Sequence, residues 1–153
     1  LVLSTLHTND APKTLTRLVD MGVKAYAIAS TVSLIIAQRL GRRLCDHSNE
    51  VRDIPQEALL PEGFTEAEIK EGLKIYGPVG RSQCNHGYKG RVGIFQVMPV
   101  TVAIQRVIME GGNAMEIADI AKQEGVPDLR ETGLRKVKDG ITGLEEINRV
   151  TIE

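Results

Sequence analysis

Neither charge sign dominates this chain: 19 Lys and Arg against 20 Asp and Glu leave a net charge of −1 over 153 residues. No polycation is available to grip nucleic acid or acidic lipid indiscriminately, so that class of function is excluded. Long apolar runs are also lacking. The longest, Ala25 to Leu40, is interrupted by Ser30, Thr31, Ser33, Gln38 and Arg39 and falls short of the roughly 20 apolar residues a membrane span needs. No basic, apolar, small-residue order of a signal peptide opens the sequence, and two cysteines without close partners make no disulfide scaffold. A reducing, cytosolic setting is expected. Repeats and low-complexity segments are missing too. What remains is 42% hydrophobic and 25% charged, enough to fill one core or two small ones and to exclude disorder as the main state.

Leu1 to Leu6 has no initiator Met and reads as a central strand cut from a larger sheet, so a fragment is expected. Asp10 and Pro12 announce a helix carrying Leu15, Leu18 and Val19, and Gly22 stops it. Ala25 to Arg39, apolar on nearly every face, predicts a second, buried helix. Leu40 to Cys45 and Arg91 to Val97 predict strands, with a polar excursion between them in which Thr65 and Glu68 cap a short helix. Three further pairs, Asn113/Glu116, Asp128/Glu131 and Thr142/Glu145, resemble helix caps, and Gly125 and Gly140 end helices. The order reads as α/β with a helical tail.

The segment Ser4-Thr5-Leu6-His7-Thr8-Asn9-Asp10 places polar side chains where an apolar strand gives way to a helix, the position at which open α/β sheets bind ligands. His7, beside the hydroxyls of Thr5 and Thr8, can donate a hydrogen bond to a phosphoryl oxygen; the plainer reading is a histidine that closes a turn.

Ser4 to Ala11, followed by Thr16-Arg17-Leu18 and Met21-Gly22, resembles the histidine box of the type II/type IV secretion ATPase superfamily. Further matches occur in register: Gln38-Arg39-Leu40 before Arg42-Arg43-Leu44-Cys45, Gly87 to Phe95, Leu134 to Val137, and Leu144 to Val150. Met109 to Asn113 and the ending Glu146 to Thr151 look most like the bacterial type IV pilus assembly, or extension, motors. The resemblance implies a hexameric, RecA-like P-loop ATPase using ATP and Mg²⁺, cytoplasmic and peripheral to the inner membrane, which works on a platform protein there to drive pilin polymerisation. His7 would lie near the γ-phosphate, supported by Thr5 and Thr8, with Asn9 or Asp10 organising the helix start and Arg39 and Arg42 contacting nucleotide. It also implies three stretches: 1–44 as the end of the RecA-like core, 45–90 as an inserted subdomain, and 91–153 as a strand with a helical tail.

The sequence holds no Gly-x-x-x-x-Gly-Lys-[Ser/Thr] loop and no acidic residue after an apolar strand to serve magnesium. In the superfamily both precede the histidine box, so residues 1–153 alone are expected to be inactive. The superfamily also carries two Cys-x-x-Cys pairs that hold a structural zinc, but here Ser48 and Arg81 stand at the second and third cysteine positions. Three outcomes are open: a Cys₂His₂ site of Cys45, Cys84, His47 and His86; a metal-free loop; or a cross-link of the two cysteines under oxidation, which a reducing compartment disfavours.

Arg39, Arg42 and Arg43 form one basic cluster and Arg130, Arg135, Lys136 and Lys138 another, the second read as a solvated helix face. Glu145 is read as the partner of Thr142, neither Glu145 nor Glu146 as catalytic, and Met98, Met109 and Met115 as core fillers. The competing functions are a protein-docking module without a nucleotide role and a type II secretion motor.

Overall fold

The computed structural model describes residues 1–47, 49–80 and 84–151. The chain divides into two compact units, Leu1–Gln38 with Phe95–Leu129, and Arg39–Ile94 with Arg130–Glu153. It is mixed α/β: β1 (Leu34–Leu44) pairs with β4 (Tyr88–Pro99), and β2 (Asn49–Arg52) with β3 (Ile75–Pro78).

The first unit is built on four helices, α1 (Ala11–Asp20), α2 (Ala25–Thr31), α5 (Val102–Met109) and α6 (Ala114–Gln123). The predicted start of α1 holds: the Asp10 carboxylate accepts from the Lys13 N–H at 2.8 Å, and Pro12 sits in the first turn, where its missing N–H is harmless. Asn113 and Glu116 form the expected capping box at the start of α6. Leu15, Ile28, Met98, Ile104 and Ile117 are fully buried, each contributing about 1.5–3 kcal/mol of transfer free energy. With α2 on α5, and α1 and α5 on α6, they make one apolar core.

Two elements depart from expectation. Leu1 to Thr8 form no strand, and Leu1, Val2 and Leu3 are exposed. A strand is stabilised by its ladder partner, and no strand among the described residues pairs with this run. The single helix expected over Ala25 to Arg39 is α2 followed at Leu34 by β1. The β-branched Val32, Ile35 and Ile36 favour a pleated surface. Ile35 and Ala37 point inward while Leu34 and Ile36 are exposed, which is the two-residue period of a strand. In β4 the inward residues are Ile94, Gln96 and Met98, and Phe95 and Val97 face out. Of the methionines expected in the core, Met98 is buried, whereas Met109 and Met115, at α5's end and α6's start, are exposed.

The second unit carries α3 (Gln56–Glu62), α4 (Glu66–Lys70), α7 (Leu129–Lys138, from Arg130 on) and α8 (Leu144–Thr151). β2 and β3 are antiparallel, with Asn49 opposite Pro78 and Arg52 opposite Ile75. Thr65 and Glu68 form the predicted capping box. Asn85 and Tyr88 exchange backbone hydrogen bonds at 3.1 and 3.0 Å around His86 (φ 52°) and Gly87 (φ 82°), two successive left-handed residues that close a tight turn. A Cβ on Gly87 would also stand 2.6 Å from Pro78 Cβ, so glycine is required there twice over. On α7, a Cβ at Gly133 would come within 2.9 Å of Ile147, which lets that helix approach α8 closely.

Candidate functional site

His7 sits in the irregular lead to α1 and is exposed, as is Thr5. Thr8 is half-buried, with its hydroxyl 2.7 Å from that of Thr14. The Thr14 hydroxyl donates to the Asp10 carbonyl oxygen at 3.0 Å, so the Thr8 hydroxyl is the donor to Thr14. Thr8 is therefore tied to α1 and steadies the backbone next to His7.

The first-turn amides of α1 are already engaged: the Ala11 N–H donates to Gln96 Oε1 at 3.0 Å and the Lys13 N–H to Asp10. Asp10 also pairs with Lys13 Nζ at 3.5 Å. A helix start closed by its own carboxylate does not cradle a triphosphate. Ahead of it, His7 and Thr5 are among the exposed polar residues of this lead, with Ser4 and Asn9.

Arg39 and Arg42, the other expected nucleotide contacts, lie in the second unit. Arg39 is half-buried. Arg42 is committed to Glu146: its backbone N–H donates to Oε1 at 2.8 Å, and its Nε and Nη2 donate to Oε2 at 2.9 and 2.7 Å. The same guanidinium lies 4.2 Å from the centre of the Tyr88 ring. Arg149, one turn along α8, adds Nε to Oε2 at 3.0 Å and Nη2 to Oε1 at 2.5 Å. The Glu146 side chain is fully buried. Burial would raise its pKa, but the hydrogen bonds from Arg149 and Arg42 outweigh that and hold the carboxyl at about 2. The bond to Glu146 raises both guanidinium pKa values, and burial raises that of the Tyr88 phenol.

This hub was not anticipated. The cap expected from Thr142 and Glu145 is replaced by a buried Thr142 whose hydroxyl donates to the Arg42 carbonyl oxygen at 2.8 Å. The acid that matters is Glu146, and its i,i+3 spacing to Arg149 was the available signal. Arg130 and Lys138 do not form a free solvated face. Arg130 pairs with Glu62 and donates to Asn148 Oδ1 at 3.0 Å, and Lys138 pairs with Glu68, whose pKa that bond lowers.

The conditional zinc set does not assemble. The Cys45 and Cys84 sulfurs pair with each other as a disulfide, with Cα atoms 6.6 Å apart, and no group of three or more His, Cys, Asp or Glu among the described residues is placed to hold a metal ion. His47 and His86 are exposed. Ser48 and Arg81 lie outside the described residues. Among those residues no helix is long and apolar enough to cross a membrane.

A model of the type II/IV secretion system protein family matches residues 1–149. The type IV pilus assembly ATPase PilB of Pseudomonas aeruginosa is 56% identical over 151 residues, covering 99% of this chain and 26% of the relative. PilB of Acinetobacter baylyi is 52% identical over 154 residues, covering 100% and 27%. The type II secretion system protein E of Aeromonas hydrophila is 37% identical over 154 residues, covering 100% and 30%. The chain thus spans about a quarter of the length of the pilus relatives it matches. With residues 1–149 inside one match, the chain belongs to the type II/IV secretion system protein family.

Proposed function

We propose that this chain is the C-terminal portion of a hexameric, RecA-like motor ATPase that powers type IV pilus assembly at the bacterial inner membrane. The observation that carries the reading is identity of 56% and 52% to pilus assembly ATPases over essentially the whole chain. A type II secretion motor is the second reading, since proteins of that system are 42% and 37% identical over the whole chain, below the 56% and 52% of the two pilus assembly ATPases.

In the proposed role ATP and Mg²⁺ are gripped mainly by a phosphate-binding loop and a magnesium-side carboxylate outside this chain. His7 reaches the terminal phosphoryl group from a lead steadied by the Thr8–Thr14 contact, and Thr5 supports it. Arg39 is the candidate cation of the second unit. Arg42 serves instead as an anchor, because its Nε, Nη2 and backbone N–H are all engaged by Glu146. In this reading 45–90 is an inserted subdomain and the last helices a C-terminal tail, with a membrane platform protein as the partner.

The test is steady-state ATPase kinetics and nucleotide affinity of the complete protein. His7→Ala is expected to lower kcat by about tenfold or more while ATP affinity stays within about twofold, because a contact made chiefly in the transition state is lost. Residues 1–153 alone are expected to give no turnover. Equal loss of binding and kcat/KM, with bound ATP hydrolysed at the normal rate, would refute the role given to His7.

A further inference from the structure

We propose that Cys45 and Cys84 are a reversible redox pair, a staple at the base of the 45–84 excursion that tightens when oxidised and loosens when reduced. Their approach is imposed by the backbone on both sides. The Cys45 N–H donates to the Gly87 carbonyl oxygen at 2.9 Å, its own carbonyl accepts from Asn49 Nδ2 at 3.1 Å, and the neighbouring Leu44 N–H donates to Ile141 O at 2.9 Å. Cys84 directly precedes the Asn85–Tyr88 turn, whose two backbone hydrogen bonds and crowded Gly87 fix its position. The Cα separation of 6.6 Å lies within the span a disulfide bridges. None of these tethers involves sulfur, so reduction leaves the two thiols as neighbours ready to re-form the bond.

Exposure sets the order of events. Cys45 is 3% exposed and Cys84 half-buried, so an oxidant meets Cys84 first. With a low-molecular-weight disulfide such as oxidised glutathione as oxidant, the Cys84 thiolate attacks one of its sulfurs. A mixed disulfide forms and one small thiol leaves. The Cys45 thiolate then attacks the Cys84 sulfur, forming the internal bond and releasing the second small thiol; the two cysteines together lose two protons and two electrons, and the small disulfide is reduced to two thiols. The bond closes a loop across 39 positions, which carries the exposed Lys70 and Lys74.

The experiment equilibrates the complete protein in glutathione buffers of graded potential, quenches with an alkylating agent and maps tryptic peptides. A linked pair made of residues 44–52 and 82–89 is expected to appear and vanish reversibly, with both cysteines gaining or losing alkylation together. Cysteines that titrate separately, retain one glutathione each, or join different chains would overturn the proposal. Limited trypsin digestion supplies the second readout. Cleavage at Lys70 and Lys74 is expected to be about tenfold faster in reduced than in oxidised protein, and Cys84→Ser should digest at the reduced rate in either buffer. Equal rates for oxidised and reduced wild type would overturn the staple.

Discussion

In the unit formed by Leu1–Gln38 and Phe95–Leu129 the fully buried large side chains are Leu15, Ile28, Met98, Ile104 and Ile117, all apolar. The unit formed by Arg39–Ile94 and Arg130–Glu153 buries the carboxylate of Glu146 and the hydroxyl of Thr142 as completely as Val137 and Ile147. Apolar burial is undirected and tolerates acid and salt, whereas a buried carboxylate is stable only while each of its donors stays in place. Two halves of similar size can thus reach order by means that fail under different conditions.

The sharpest way to break the contrast is a cavity on the apolar side. Ile104→Ala is expected to cost about 3–4 kcal/mol of unfolding free energy, read from denaturant midpoints, with little change between pH 3 and pH 7. On the ionic side, Glu146→Gln keeps the shape but removes the charge that Arg42 and Arg149 share. A loss of about 2–3 kcal/mol at pH 7 is expected, moderated because both guanidinium groups are about half exposed.

The pH dependence of that loss has a definite sign. The Glu146 pKa falls from 4.5 to about 2 on folding. Between those values the unfolded chain binds the extra proton, so the stabilisation is complete above about pH 4.5 and disappears as pH falls toward 2. Glu68, lowered by Lys138, adds to the same limb. Wild type and Glu146→Gln should therefore converge in acid. A difference that persists undiminished at pH 2 would show that the carboxylate charge is not what holds this unit.

Gln96 is where the contrast can be refined, since it is, with Thr14, one of the buried polar side chains of the otherwise apolar unit. It is 4% exposed and accepts the Ala11 N–H from 85 positions away. Gln96→Ala leaves that helix-start amide unsatisfied and is expected to cost about 1–2 kcal/mol by the same measurement, without an acid limb.

Legibility in the sequence followed the range of each interaction. Caps act within three residues, so Asp10, Thr65/Glu68 and Asn113/Glu116 could be read directly and stand in the structure. The stripes Ile104/Ile108 and Ile117/Ala121 were legible because one helix face repeats them. What could not be read depends on partners distant in the chain. Leu1 to Leu6 has a strand's composition but no ladder here, and Ala25 to Arg39 changes from helix to strand because β1 finds β4. Gln96 inward and Phe95 outward reverse the hydrophobic ranking, since strand phase is fixed by pairing. At the candidate site, the box around His7 was visible as a motif and the start of α1 as a cap. The tie of Arg42 to Glu146, 104 positions away, left no local mark.

The Ala11–Gln96 contact bears on how the exposed lead behaves. A peptide that leaves a folded body is free only up to its last fixed atom, and behind this imidazole the Thr8 hydroxyl is held by Thr14, the Asp10 carboxylate by the Lys13 amide and the Ala11 amide by Gln96. A pull on the lead passes through these ties before it reaches the amide-to-amide bond between α1 and β4, so the reach of residue 7 is set by a short leash and not by the softness of the helix behind it.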